Sequence, residues 1–590
     1  MAVLPQLPTY YYHNNFLHLV EQVARLYRDL MTDAESNFID DFLNLPANAQ
    51  QLYIRLLCRK GELFRFDKLK YAEIENIDQA AETLCQQQFS CWLGSDNSGE
   101  FSSDPENILK LFTKTELIRE LLATDTELNK SGLTKLSRDE LDTYCVDHWQ
   151  SLSESLLNFP VLAIYGELEF TTLRLLYFGN LYQDFTDFVL RDLGIYQYEN
   201  YQIDLSSRGF YCREQIETHL QYYQLLELLS DLKAYDAEEL QSLEQRLSDL
   251  FVVAQDLDDK RLMRKADARR VELARQLERL GQDQSALDIY AQCEQHPARE
   301  RQCRIYFNHK DFNACADLCL TIWQQPYNER ERQFVLAFVP RLIRAMQKQQ
   351  GESSERLLSQ CLEIKEQKVV INDIHLRASR GQSWLEQGVE FVALKALKED
   401  RQQHGQPGSG FYVENSLINS VFGLFYWELV FAEVAGVFYH GFQHKPDDLY
   451  EADFLDKRRP QFEQLNQLLE SENNKTDFKI KVHKTIKEKF AVANPFVFWN
   501  LMDENYLSLL NKALEAIPLA DWKKLFLYIW SDIKNHRSGL PDLIWFSDQG
   551  GYELIEVKGP GDTLQKNQLA WLEYFSRNQI PASVLYLKAE

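Results

Sequence analysis

Leu540-Pro541-Asp542-Leu543-Ile544-Trp545-Phe546 leads into Ser547-Asp548-Gln549-Gly550-Gly551 and then Tyr552-Glu553-Leu554-Ile555-Glu556-Val557-Lys558. Two short apolar runs around a polar, glycine-bearing turn predict a strand, a turn and a second strand. Side chains alternate along a strand, so Glu556 and Lys558 share one face. Asp542 stands at the start of the partner strand, fourteen residues before Glu556. Two carboxylates and a lysine converging at a strand pair suit a hard divalent cation and an attacking water. Gly559-Pro560-Gly561 follows the lysine. A helix is expected next, with Leu564, Gln568, Trp571, Leu572 and Phe575 on one face, and then a strand over Ser583–Leu587. Strand, strand, helix, strand is the core such a centre needs.

Those residue types meet the demands of phosphodiester cleavage, as in nucleases of the PD-(D/E)xK type. Charge on the phosphate must be neutralised and a water made nucleophilic, and Mg²⁺ or Mn²⁺ does both when a few carboxylates hold it and leave positions open. Asp542 and Glu556 are the expected catalytic ligands, with the Val557 carbonyl as a third oxygen. Lys558 is expected to orient or deprotonate the water and to offset phosphate charge. Such a site often takes a further carboxylate from a neighbouring helix. Glu414, Glu428 and Glu433 all qualify, and the residues alone favour none of them.

At 590 residues the chain exceeds one core and implies three or four domains. It is 45% hydrophobic with only 23 glycines and 16 prolines, which fits a globular, helix-dominated protein. Ten cysteines lie scattered without C-x-x-C pairs, so they read as reduced thiols, with neither a zinc site nor a disulfide framework indicated. No signal peptide is expected, and the apolar stretch Val421–Phe442 carries Glu428, Glu433 and His440, which argues for a buried helix over a membrane span. The net charge of −25 disfavours indiscriminate coating of duplex DNA, but local patches can still hold phosphate. Lys475, Lys479, Lys481, Lys484, Lys487 and Lys489 form one such patch, with Lys457-Arg458-Arg459 upstream; Lys481 and Lys484 are its leading DNA-binding candidates.

Along the chain, residues 1–95 suggest a winged-helix-like DNA-binding region around Gln51–Lys60, Phe64, Arg65, Phe66, Lys68, Lys70 and Tyr71, with Arg59 and Lys60 as phosphate contacts. Residues 96–215 form a SAP-like helical region, where Ser137 caps a helix with acids in its first turn. Residues 216–403 read as a tetratricopeptide-like array. Two units match at a 28-residue offset that pairs Ala286 with Ala314. Such arrays bind proteins or shape a concave wall, and Arg299, Arg301, Arg304, Arg330, Arg332, Arg341 and Arg344 make this one locally basic. His404–Gly410 reads as a linker that opens a nuclease domain over 411–590. The expected fold class is therefore multidomain, mostly α, closed by an α/β nuclease domain.

Arg537-Ser-Gly-Leu-Pro-Asp-Leu543, Glu556-Val-Lys-Gly-Pro560 and Leu564-Gln-Lys-Asn-Gln-Leu-Ala-Trp-Leu572 resemble a VRR-NUC domain. Phe422-Gly-Leu-Phe-Tyr-Trp427, Phe454-Leu-Asp-Lys-Arg-Arg-Pro460 and Gln50–Lys60 extend the resemblance to the Fanconi-associated nuclease family over most of the chain. The resemblance implies a structure-selective DNase, an endonuclease with 5′-to-3′ exonuclease activity, cutting near 5′ flaps in interstrand-crosslink repair. It places the helix-borne metal ligand on Glu414, with Asp542, Glu556 and Lys558 as catalytic residues and Arg537 and Gln568 as supports. It also implies a basic pocket for a 5′-terminal phosphate, pointing to Arg299 or Arg301. The expected partners are branched or flapped DNA and repair proteins on the helical repeats, with no membrane, for a monomer or weak dimer. No cysteine precedes Cys58, so the ubiquitin-binding zinc finger of some members is missing, and a bacterial, cytoplasmic, nucleoid-associated protein is expected. The alternatives are a Holliday-junction resolvase and a catalytically inert DNA-binding scaffold.

Overall fold

The expected hairpin forms as β6 (Leu543–Ser547) and β7 (Tyr552–Lys558), antiparallel, with Leu543 opposite Ile555 and Phe546 opposite Tyr552. Gly550 and Gly551 take positive φ and make the turn. Around this pair the computed structural model describes residues 8–93, 105–124, 130–185, 188, 193, 197–348, 355–366, 371–378 and 388–589. The chain divides into two compact units, Met1–Ile195 with Ile203–Ile216, and Tyr196–Gln202 with Glu217–Glu590.

In the first unit, Thr32 and Glu35 form a reciprocal cap that starts the helix Asp33–Asn44. Leu45 and Pro46 then stop it and start Ala47–Leu57. A three-stranded antiparallel sheet follows, β1 (Leu63–Arg65), β2 (Ser90–Trp92) and β3 (Val161–Ile164), in the order β1-β3-β2. β3 comes from beyond the expected division at 95/96 and completes that sheet. Gly166, just after β3, has φ +93, and any Cβ there would strike Tyr53 and Phe38 at 2.5 Å. Between β2 and β3 lie short helices that pack Leu117, Leu121, Leu141, Cys145, Leu152 and Leu156 into one core with Cys91 of β2 and Val161 and Ala163 of β3. Ser137 caps one of them with Glu140, as expected.

The second unit joins helical hairpins to the sheet that carries β6 and β7. Helices Lys260–Arg279 and Asp283–Tyr290 make one hairpin; Ala298–Asn308 and Phe312–Gln324 make the next. Their register corrects the expected 28-residue offset. Gly281 and Lys310 both take positive φ at the turn. The Gln282 N–H donates to the Leu277 carbonyl as Asp311 does to Tyr306, and Ala286 to Gln282 as Cys315 does to Asp311. The shared offset is thus 29, and Ala286 corresponds to Cys315. Lys310 adopts the left-handed turn that glycine usually fills, so the sequence match slid onto the nearest alanine.

The sheet has five strands in the order β4-β8-β7-β6-β5, with β4 at Asp373–Ala378, β5 at Gly408–Tyr412 and β8 at Ala582–Ala589. β4, β8 and β7 run parallel, whereas β7, β6 and β5 alternate. The end of the stretch read as a linker, Gly408–Gly410, is therefore part of an edge strand. Its glycines serve close approach: a Cβ at Gly408 or Gly410 would stand 2.8 or 2.9 Å from the Trp545 ring. Helix Val389–Gln403 covers one face, packing Ala393 and Leu397 on Leu543, Trp545, Ile555, Val557, Leu585 and Leu587. Alternation sends Glu556 and Lys558 to the opposite face. Every residue of the helix Ser416–Phe425 is buried, with Phe422 against Phe496, Phe526 and Trp530. Among the described residues no helix is long and apolar enough to cross a membrane.

Candidate active site

Asp542, just before β6, reaches across the hairpin, and its Oδ2 accepts the Val557 N–H at 2.8 Å. Its own carbonyl accepts the N–H groups of Val413 at 2.8 Å and Glu414 at 3.0 Å. These bonds tie the end of β5 to the start of β6. Glu414 carries φ +33 there, a left-handed conformation that a side chain adopts at a cost of about 1–3 kcal/mol. It precedes the helix Ser416–Phe425 and does not lie on it. The Tyr412 hydroxyl donates to Glu414 Oε2, and Asn415 Nδ2 donates to Oε1 at 3.4 Å. Of the three glutamates left open by sequence, Glu414 is the one beside Asp542. Glu428 instead meets Lys481 at 3.0 Å, and Glu433 is exposed.

Glu556 is buried to 1% exposure, with its carboxylate crowded by Asp542 and met by the Lys558 ammonium. Lys558 Nζ lies 2.8 Å from Oε1 as a charge contact. Burial first, and then the nearby Asp542 charge, push the Glu556 carboxyl up to about 8. Burial also raises Asp542, with Glu390 and Glu414 adding to the rise. A hard cation would relieve this crowding of buried carboxylates. The three carboxylates Glu414, Asp542 and Glu556 are not gathered as a set within 4.8 Å of one another.

Lys558 Nζ donates to Gln568 Oε1 at 3.0 Å, and Gln568 also accepts the Gln565 N–H at 2.9 Å as it caps the helix Lys566–Arg577. The expected support residue Gln568 therefore steers the lysine. Arg537 donates to the Tyr450 hydroxyl at 2.8 Å, while its carbonyl accepts Asn419 Nδ2 at 2.8 Å. Sequence reasoning missed Glu390, in the first turn of Val389–Gln403, and Tyr412. Neither is near Asp542 in the chain, and no motif carries them.

The expected phosphate contacts fare differently. Arg299 is buried, with Nε 3.0 Å from Glu331, Nη2 3.0 Å from the Gln325 carbonyl, and its guanidinium over Tyr327. Arg301 Nε bonds Glu278 at 3.0 Å. Both guanidiniums are committed to holding helices together. In the lysine helix Lys475–Lys489, Lys475 pairs with Glu472, Lys479 with Glu515, Lys481 with Glu428 and Lys489 with Glu199. Lys484 is exposed. Arg458 is fully buried against Asp448 at 2.8 Å. In the first unit, Arg59 is exposed and its Nη1 lies 3.3 Å from the Tyr71 hydroxyl, and Lys60 is exposed beside it.

A basic hollow does exist elsewhere. A cavity of about 490 Å³ is lined by His296, Arg330, Lys534, Lys566, Gln565 and Asn567, together with Glu300 and Glu329. Lys566 and Asn567 open the helix that carries Gln568, so this cavity borders the helix that steers Lys558.

Two family models match the chain: the FAN1 HTH domain over residues 10–91 and the VRR-NUC domain over residues 473–589. The fold is similar to a crystal structure of paFAN1 bound to DNA with a two-nucleotide 5′ flap and a gap, with a TM-score of 0.77, 29% identity, and coverage of 99% of this chain and 100% of that one. A Fanconi-associated nuclease 1 homolog of Arabidopsis thaliana is 24% identical over 95% of this chain and 65% of its own. The homolog of Pseudomonas aeruginosa is 31% identical over 99% of this chain and 97% of its own. An acid centre on this sheet and a likeness spanning nearly both whole sequences lead to one conclusion: the chain belongs to the Fanconi-associated nuclease family.

Proposed function

We propose that the chain hydrolyses one strand of branched DNA next to a 5′ flap, in interstrand-crosslink repair, with Mg²⁺ or Mn²⁺ held by Glu414, Asp542, Glu556 and the Val557 carbonyl. The observation that carries this reading is Glu556: a buried carboxylate crowded by Asp542 and in contact with Lys558. A divalent cation, when bound, supplies Lewis acidity at the scissile phosphate and eases deprotonation of a water. The chain's own groups do the rest. The Val557 N–H fixes Asp542, and burial keeps both carboxylates poorly hydrated, so they favour a cation over solvent. An ammonium has three donors. Glu556 and Gln568 orient two of those on Lys558, and the third points charge at the phosphate or the attacking water. Water oxygen bonds to phosphorus, the phosphodiester's leaving oxygen departs and takes a proton, and the water's proton passes to solvent.

Arg330, Lys534 and Lys566 are better placed than Arg299 or Arg301 to hold a flap's terminal phosphate, because their cavity borders the helix that steers Lys558. The test is cleavage of a labelled 5′-flap duplex with each cation, comparing the native chain, Asp542→Ala and Lys534→Ala/Lys566→Ala. Metal-dependent cutting that vanishes in Asp542→Ala supports the catalytic reading. Loss confined to 5′-phosphorylated flaps in the lysine variant supports the pocket. Tight binding without cutting by any form would point to a scaffold, and paired symmetric cuts in a four-way junction to a resolvase.

A further inference from the structure

Three cysteines that no motif joins in sequence meet inside the second helical hairpin. Cys303 lies on Ala298–Asn308, and Cys315 and Cys319 lie one turn apart on Phe312–Gln324. All three are fully buried. Their sulfurs lie within 4.8 Å of one another, with Cys303 and Cys319 at 3.7 Å. Among the described residues no other group of three histidine, cysteine or carboxylate side chains comes so close. The Cys315 thiol also lies 3.3 Å from the Cys303 carbonyl. Cys361, on the helix Glu355–Glu366, joins the same apolar cluster.

Packing alone does not require sulfur at these places. The preceding hairpin, 29 residues earlier, puts Ala274, Ala286 and Tyr290 at the corresponding positions, and all three are fully buried. The same helix pairing is thus made with no thiol. Four thiolates at about 2.3 Å around a tetrahedral ion stand about 3.8 Å apart, which is close to the Cys303–Cys319 spacing. Thiolates select soft, thiophilic ions over the hard cations that oxygen ligands take.

We propose that Cys303, Cys315 and Cys319 form a binding site for one thiophilic d¹⁰ cation, zinc or cuprous copper, which fastens the two helices of the hairpin. Each thiol gives its proton to solvent as it binds. Zinc prefers four ligands and would recruit Cys361, whereas cuprous copper is satisfied by three sulfurs. The site also bears on the neighbouring wall. Helix Glu329–Lys348 packs Val335, Phe338 and Val339 into the cysteine cluster, and its first turn carries Arg330 at the basic cavity. A cation here would stiffen that wall without touching the acid centre.

The experiment uses the full chain, purified reduced and stripped with a chelator. It is refolded or held for long periods with Zn²⁺, with cuprous ion or with Co²⁺ as an optical probe. Native mass spectrometry and the thiolate-to-cobalt charge-transfer band report binding. One thiolate-bound ion per chain is expected in the native protein, in Asp542→Ala and in Cys58→Ser, with a higher Tm on loading, and Asp542→Ala gives the count apart from any cation at the acid centre. Cys303→Ala/Cys315→Ala, which copies the alanines of the preceding hairpin and so should fold, is expected to lose the ion, the band and the Tm gain. Cys361→Ser distinguishes the two ions: loss of binding marks zinc, and retention marks cuprous copper. A folded, reduced native chain that takes up neither ion, or binding unchanged in the double alanine variant, would overturn the proposal.

Discussion

The acid centre and the lysine helix Lys475–Lys489 are both dense in charge, and they are built in opposite ways. Glu556 is buried beside Asp542 with one lysine against it, and its carboxyl is pushed up to about 8. The lysines are surface groups, and Lys475, Lys479, Lys481 and Lys489 each rest on a carboxylate. Where two carboxylates are buried together against a single lysine, burial and mutual repulsion disfavour their charged forms, and a cation would restore them. Where charge is paired at the surface, the pair is complete and worth little, a median of about 0–1 kcal/mol. The contrast separates a reactive centre from a solvated face, although both look equally charged in sequence.

The largest expected effect tests the first half of that contrast. Asp542→Ala should lower single-turnover cleavage of a 5′-flap duplex by roughly a thousandfold or more. A loss under tenfold would mean that the centre lies elsewhere. Gln568→Ala should lower the rate by roughly ten- to a hundredfold, because it steers Lys558 and touches no substrate. The loss should fall on kcat and spare KM, and an equal rise in KM would make Gln568 a binding residue.

Glu556→Gln sharpens the contrast through pH. The Glu556 carboxyl is raised from an ordinary 4.5 to about 8, so the folded chain holds that proton where the unfolded chain has released it. Its stabilising effect is complete below about 4.5 and is lost as pH rises through about 8. In chelator, the native Tm should therefore decline across that window, while Glu556→Gln should show a flatter profile and exceed the native Tm at the alkaline end. Parallel profiles would remove burial as the cause. The smallest effect belongs to the lysines. Lys479→Ala and Lys481→Ala should each change stability by about 0.5 kcal/mol or less by denaturant titration. A change comparable to that of Glu556→Gln would break the comparison from the other side.

Local chemistry made the clustering of the proposed catalytic trio legible. Asp542, Glu556 and Lys558 sit on one hairpin, where period-two alternation fixes their faces, and the turn is written in Gly550 and Gly551. The Ser137 cap was legible for the same reason. What stayed hidden depends on distance along the chain. Tyr412 approaches Asp542 only once β5 pairs with β6, and Glu390 only once the helix Val389–Gln403 packs on the sheet. The partners of the lysines, Glu199, Glu428, Glu472 and Glu515, are mostly remote in sequence, so the run looked free. Gly408 and Gly410 read as a flexible linker because the Trp545 ring they accommodate lies more than a hundred residues later. Lys310 hid the hairpin register by standing where glycine usually stands.

Those same edge strands have a consequence for how the enzyme is made. β4 and β5 are the first strands of the catalytic sheet to be synthesised, yet they are its two outer strands. β6, β7 and β8, which fill the space between them, emerge from the ribosome more than a hundred residues later. At about 5–20 residues per second the early strands wait for many seconds without a partner. Glycine at Gly408 and Gly410 weakens strand propensity over that interval. A segment poor at pairing with strangers, yet shaped to lie flush on one tryptophan, is well suited to a nascent chain that must keep its sheet open until β6, β7 and β8 arrive.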